Sequence, residues 1–152
     1  MIIFLDIDGV LVPVKSWESP KLLDDGFPEF SLDAIRVLRP IIFNHTKVML
    51  TTSHKSRYTL IEWKKIFSKR GLKIKHIEKL NNNTKIQSRA DEIIDWFKVN
   101  TVDDDEFMII DDDKSLNALP ENLKKHLILT SPMIGLNDRH SEEISNLLSA
   151  NK

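Results

Sequence analysis

Met1-Ile2-Ile3-Phe4-Leu5-Asp6-Ile7-Asp8-Gly9-Val10 is an apolar run that stops at two aspartates and a glycine. Bulky, partly β-branched residues bounded by an Asp/Gly turn read as a buried strand, placed at about Ile2–Leu5. Asp6 and Asp8 then stand at its C-terminal end, the ligand-binding edge of an open α/β sheet. Carboxylates this close repel unless a cation or a proton intervenes. The pair points to a metal site, a phosphoryl acceptor, or both.

Outward from that strand, residues 11–30 contain Pro13, Pro20, Gly26 and Pro28 and are expected to form a loop or small flap. Ser31 is a plausible N-cap for a helix running to about Asn44, which Pro40 should kink or shorten. Lys47–Thr51 reads as a second strand. A helix from about Arg57 to Arg70 follows, with Leu60, Trp63, Ile66 and Phe67 inward and Gly71 as its stop. Leu72–Ile77 alternates apolar and polar residues and reads as a third strand. Ala90, Ile93, Ile94 and Phe97 have the spacing of an amphipathic helix. Phe107–Ile110 is a short apolar strand ending at Asp111-Asp112-Asp113, and Leu127–Leu129 reads as the last strand. Asn137 or Asp138 opens a terminal helix carrying Ile144, Leu147 and Leu148. Strands alternating with helices predict an α/β fold with a mostly parallel central sheet covered on both faces.

The chain has 152 residues, which suits one domain spanning 1–152, and its 41% apolar content suffices for a core. Charged residues are mixed in sign and the formal net charge is −1. That balance gives no global attraction to nucleic acid or to anionic membranes, and leaves only a local basic patch open. The absence of cysteine excludes disulfides, thiolate metal sites and a Cys nucleophile, and is compatible with a reducing cytoplasm. No apolar stretch reaches the ~20 residues of a membrane span, and Asp6 and Asp8 interrupt any signal-peptide pattern.

Four polar clusters follow strands or open a helix: Asp6 and Asp8; Thr51, Thr52 and Ser53; Lys85 and Arg89; Asp111 and Asp112. In a parallel sheet the strand C-termini share one edge, so residues about a hundred positions apart converge on one pocket. These residue types suit phosphoryl transfer. Hard carboxylate oxygens bind Mg²⁺, one Asp can attack phosphorus, a second can move the proton, and a hydroxyl with a cation can hold the equatorial oxygens. Asp103-Asp104-Asp105-Glu106 precedes its strand and reads as a solvated loop on the opposite edge. The five histidines lack ligand spacing, and only His54 falls near the expected pocket. Trp17, in the flap, either stacks on a substrate ring or packs.

Asp6-Ile7-Asp8-Gly9-Val10 resembles the first motif of the haloacid dehalogenase (HAD) superfamily of phosphohydrolases, and the other three clusters follow in that superfamily's order. The resemblance implies a three-layer Rossmann-like HAD core, Mg²⁺ as cofactor, Asp6 as nucleophile and Asp8 as acid/base. It implies Thr52, with Ser53 beside it, as the phosphate-binding hydroxyl. Asp111 and Asp112, with Asp6 and the Asp8 carbonyl, would hold the metal, Asp112 being favoured as direct ligand. Arg89 fits the third-motif spacing to Ile93; Lys85 is the alternative cation. Thr52-Ser53-His54-Lys55, the Arg89–Phe97 run, and Thr130-Ser131-Pro132 leading to Gly135-Leu136 are similar to the small HAD domains of bacterial RNA-repair proteins.

The large cap inserts of many HAD enzymes are absent, which implies an open pocket. An open pocket suits phosphate on a large partner, such as a nucleic-acid end or a phosphoprotein, over a small nucleotide or sugar phosphate. The competing classes are a phospho-accepting switch resembling receiver domains, whose motif order disagrees, and an inactive phosphate-binding module.

Overall fold

Five strands, β1 (Ile2–Leu5), β2 (Lys47–Leu50), β3 (His76–Lys79), β4 (Phe107–Asp111) and β5 (Leu127–Leu129), make one sheet in the computed structural model, which describes residues 1–81 and 87–149. The order is β3-β2-β1-β4-β5 and each pairing is parallel. The chain winds outward from β1 to β3, then returns to the other side of β1 with β4. The gap between the ends of β1 and β4 is therefore the topological switch point, where such sheets bind ligands.

Helices α1 (Leu32–Leu38), α2 (Leu60–Lys69), α3 (Arg89–Val99), α4 (Glu121–Lys124) and α5 (Asp138–Ser149) complete three layers. Because side chains alternate along a strand, Ile3, Leu5, Val48, Leu50, Met108 and Ile110 pack toward α1, α2 and α5. Phe4, Met49, Phe107 and Ile109 face the other way, against α3, α4 and the 3-10 turn Lys114–Ala118. The central strand is thus apolar on both faces, as parallel sheets require. Among the described residues no helix is long and apolar enough to cross a membrane.

Local chemistry sets the element ends. Ser31 caps α1 through its hydroxyl, which accepts from Ala34 N–H at 3.1 Å. The expected helix to Asn44 stops at Leu38, because Pro40 turns the chain into a 3-10 turn over Arg39–Ile41. The helix expected from Arg57 starts at Leu60, since Thr59 and Glu62 form a reciprocal capping box there. The third strand lies at His76–Lys79 instead of Leu72–Ile77. Its partner β2 begins at Lys47, opposite His76, so residues 72–75 have no ladder to join. Leu72 and Ile74 are nonetheless buried, and their alternation reports burial without strand pairing.

Residues 6–31, between β1 and α1, contain only two isolated bridges, Asp8–Val12 and Leu22–Pro28, and no cap. The segment is tied down by Arg70 at the end of α2. Its buried guanidinium donates to both carboxylate oxygens of Asp25 at 2.7 and 2.9 Å and to the carbonyls of Phe27 and Pro28. Asp103–Glu106 lies before β4, on the edge away from the switch point, and Asp104 pairs there with Lys125 at 2.7 Å.

Candidate active site

Asp6 follows β1 directly, and its N–H still donates to the β4 carbonyl of Ile110 at 3.1 Å. The residue is 5% exposed, and one carboxylate oxygen accepts from Ile7 N–H at 2.8 Å. The chain then bends sharply at Gly9, whose φ is +80°. A Cβ at Gly9 would fall 2.0 Å from Asp112 Oδ2, so the bend needs glycine for its conformation and for the passage of Asp112. The hydroxyl of Thr130, just past β5, donates to the Gly9 carbonyl at 2.7 Å and fixes the bend from the other side.

Asp111 closes β4 and is fully buried. Its Oδ1 accepts from the N–H groups of Asp112 at 2.8 Å and Asp113 at 3.1 Å. Its Oδ2 accepts from Arg89 at 2.6 Å and from the Thr51 hydroxyl at 3.2 Å. Four internal donors thus hold the Asp111 carboxylate, while the neighbouring Asp112 is only partly buried. Arg89 is the first residue of α3, after the N-cap Ser88. Held by Asp111, it reaches to 3.6 Å from Asp6 Oδ2.

Asp6, Asp111 and Asp112 each offer an oxygen within 4.8 Å of the others. Burial, then the charge of Asp111, pushes the Asp6 carboxyl up to about 9; Arg89 opposes that, and a hydrogen bond with Asp112 adds to it. Asp112 is also raised, chiefly by burial. Burial works to lower the Arg89 pKa, but the carboxylates of Asp111 and Asp6 outweigh it and raise the value. Such oxygen-only, anionic clustering fits a hard divalent cation, which would take the place of the proton between Asp6 and Asp112.

The other expected residues fall around this cluster. The Asp8 side chain stands apart from it, 42% exposed, with Oδ2 2.7 Å from His54 Nε2. Thr52 is fully buried, and its hydroxyl accepts from His54 N–H at 3.3 Å. Ser53 is exposed beside it. Lys85 lies outside the described residues. Trp17 is 68% exposed, whereas Trp63 is fully buried.

Three residues here carry more than their sequence positions suggested. Thr51 bridges the site, accepting from Arg89 at 3.2 Å while donating to Asp111. His54 touches Asp8, and the ring of Phe27 meets it edge-on. Lys55 is buried, its Nζ 3.5 Å from Glu92 one turn along α3 from Arg89. Their shared signal is position immediately after β2, in the run that also holds Thr52 and Ser53.

A parallel five-stranded α/β sheet with Asp-x-Asp after its central strand, and an acidic pair after the strand beside it, defines a Rossmann-like HAD core. More narrowly, the chain belongs to the family described as the HAD domain in Swiss Army Knife RNA repair proteins, whose profile matches residues 2–141. No curated protein and no solved structure matches it. Membership suggests phosphohydrolase activity in general, and HAD domains typically depend on Mg²⁺.

Proposed function

We propose that this chain is a Mg²⁺-dependent phosphatase that hydrolyses a phosphate monoester through an aspartyl-phosphate on Asp6, acting on a phosphorylated nucleic-acid end. One observation carries the reading: carboxylates from the two sides of the switch point meet within 4.8 Å, with Arg89 3.6 Å from Asp6. The RNA-repair description of the matched family supports the choice of substrate, as does the lack of a cap over residues 6–31.

Asp6 and Asp112 would hold the metal, together with the Asp8 carbonyl; Asp111, with its oxygens already engaged, orients Arg89 instead. When bound, Mg²⁺ neutralises phosphate charge and favours the ionised form of Asp6. The Asp6 carboxylate attacks phosphorus, and the bond from phosphorus to the leaving oxygen breaks as Asp8 gives that oxygen its proton. Asp8, now anionic, takes a proton from water, whose oxygen attacks the phosphorus of the acyl-phosphate. Inorganic phosphate leaves, and Asp6 is restored as carboxylate. Arg89, the Thr52 hydroxyl and the groups at Ser53 stabilise charge on the equatorial oxygens.

The test is turnover of p-nitrophenyl phosphate with and without Mg²⁺, for the wild type and Asp6→Asn. The expected result is metal-dependent release that the substitution abolishes. Equal activity in the variant would remove Asp6 as nucleophile, and a marked preference for sugar phosphates over phosphorylated oligonucleotides would overturn the substrate assignment.

A further inference from the structure

Charge is unevenly distributed along this nearly neutral chain. Residues 55–79 hold nine of the 22 lysines and arginines but only two of the 23 acids, Glu62 and Glu78. Two of the nine, Lys55 and Arg70, are buried, and Lys69 pairs with Asp24. Arg57, Lys64, Lys65, Lys73 and Lys75 are exposed and Lys79 partly so, and among the described residues none of the six is in an ion pair. A solvated helix usually interleaves its signs; here one sign is left in excess.

The fold gathers these cations at one margin. Arg57 stands in the 3-10 turn Lys55–Arg57 just before α2, Lys64 and Lys65 lie on α2, and Lys73, Lys75 and Lys79 lie on the segment leading through β3, the edge strand of the sheet. Glu62, held below the usual carboxylate range first by Thr59, also feels both Lys65 and Lys79, so helix and strand present their charges together. Lys79 ends β3 in register with Leu50 and, through it, with Leu5, the residue before Asp6. Two strand spacings place it about 10 Å across the sheet from the nucleophile's strand. From that edge α2 descends about 15 Å, carrying Lys64 and Lys65 away from the site. Beside it runs a groove of about 350 Å³ lined by Asp25, Tyr58, Glu62, Lys65, Ile66 and Lys69. Tyr58 is only part-buried, and the Arg57 guanidinium lies 5.5 Å over its ring. A basic track with an aromatic platform is the arrangement that binds single strands without reading sequence, and the ring favours a nucleic acid over an acidic protein.

We infer that the α2–β3 face carries the phosphate backbone of a single-stranded nucleic acid whose phosphorylated end occupies the Asp6 site. The inference rests on the phosphatase reading above for the end but not for the track. Contacts on this face are the same in ground and transition states, so they lower KM for an oligonucleotide without changing the chemistry at Asp6.

The experiment measures fluorescence anisotropy of a labelled, terminally phosphorylated single-stranded oligoribonucleotide of about a dozen nucleotides over a range of salt concentrations. Wild type is compared with the pairs Lys64→Gln/Lys65→Gln and Lys73→Gln/Lys75→Gln. Lys98→Gln/Lys124→Gln, on the α3–α4 face, serves as a charge-matched control. Each track pair should weaken binding about tenfold at low salt. The slope of log K against log salt should become shallower by about 0.7 per lysine, or about 1.4 per pair. The control should bind as wild type does, and p-nitrophenyl phosphate turnover should be unchanged in all. Unchanged affinity and slope in both track pairs, an equal loss in the control, or a larger loss for an acidic phosphopeptide than for the oligonucleotide would each overturn the track. Anisotropy reads binding without turnover, so an inactive enzyme that still shows the lysine dependence would defeat the phosphatase reading alone.

Discussion

Asp111 has the least access to solvent of the site's acids and the most hydrogen bonds. A buried carboxylate is costly unless its oxygens are satisfied, and here two N–H groups, a hydroxyl and a guanidinium do so. Its position at the C-terminal end of β4 was legible in the sequence; its use as the anchor of Arg89 was not, because adjacent aspartates look alike until one is buried. The same holds for His54, which has no ligand spacing in sequence yet lies 2.7 Å from Asp8. The hydrogen bond shared between the imidazole and the Asp8 carboxyl holds the proposed acid/base in place. A hydrogen bond to a charged group contributes about 1.5–3 kcal/mol. His54→Ala should therefore lower kcat for p-nitrophenyl phosphate at least about tenfold with little change in melting temperature. His54→Gln, which keeps a donor, should recover part of the loss. Unchanged kcat in His54→Ala would show that the contact does not bear on catalysis.

At the scale of elements, residues 11–30 are a strap held from α2. Expectation from sequence reached the irregular backbone, since prolines and glycine break any helix there. It could not reach the clamp, which joins residues 42 to 45 positions apart. Arg70 is the buried partner, at 1% side-chain exposure, and Asp25 the outer one, at 23%. Asp25→Asn leaves the guanidinium underpaired and should cost about 2 kcal/mol, below the roughly 3–5 kcal/mol of a fully buried pair because water reaches Asp25. The hydrogen bonds from Arg70 hold the Asp25 carboxyl below its ordinary value of 3.8. A folded value below the unfolded one means that this stability is present above about pH 4 and is lost as pH falls through the folded value. Urea unfolding of both proteins across acid pH should show a constant gap near neutrality that closes below about pH 4. A gap that persists in acid would assign the effect to packing, not to the ion pair.

The whole molecule gathers acidic groups at its switch point. Asp6 and Asp112 approach from strands about a hundred residues apart in sequence, and the pairing of β1 with β4 keeps them together. A ligand that binds the folded chain alone stabilises it by mass action, by about 2.7 kcal/mol at a hundred times its dissociation constant. Mg²⁺ should therefore raise the melting temperature by several degrees. Asp112→Asn should remove most of that rise while leaving the metal-free protein about as stable, since an amide at 112 can still hydrogen-bond with the Asp6 carboxyl. A metal-independent melting temperature in the wild type would contradict the divalent site.

Residues 1–10 alone determined the buried strand, the acidic edge and the sharp bend, because an apolar run, a turn residue and charge are local properties. The alternation of strands with helices likewise determined the layered α/β class, although the third strand was misplaced where burial and pairing part company at residues 72–75. Tertiary structure decided the rest. It set Asp111 inward and Asp112 outward, brought His54 to Asp8, and aligned the lysines of α2 with those of β3. Each of these depends on distances between side chains far apart in the chain, which periodicity and spacing do not encode.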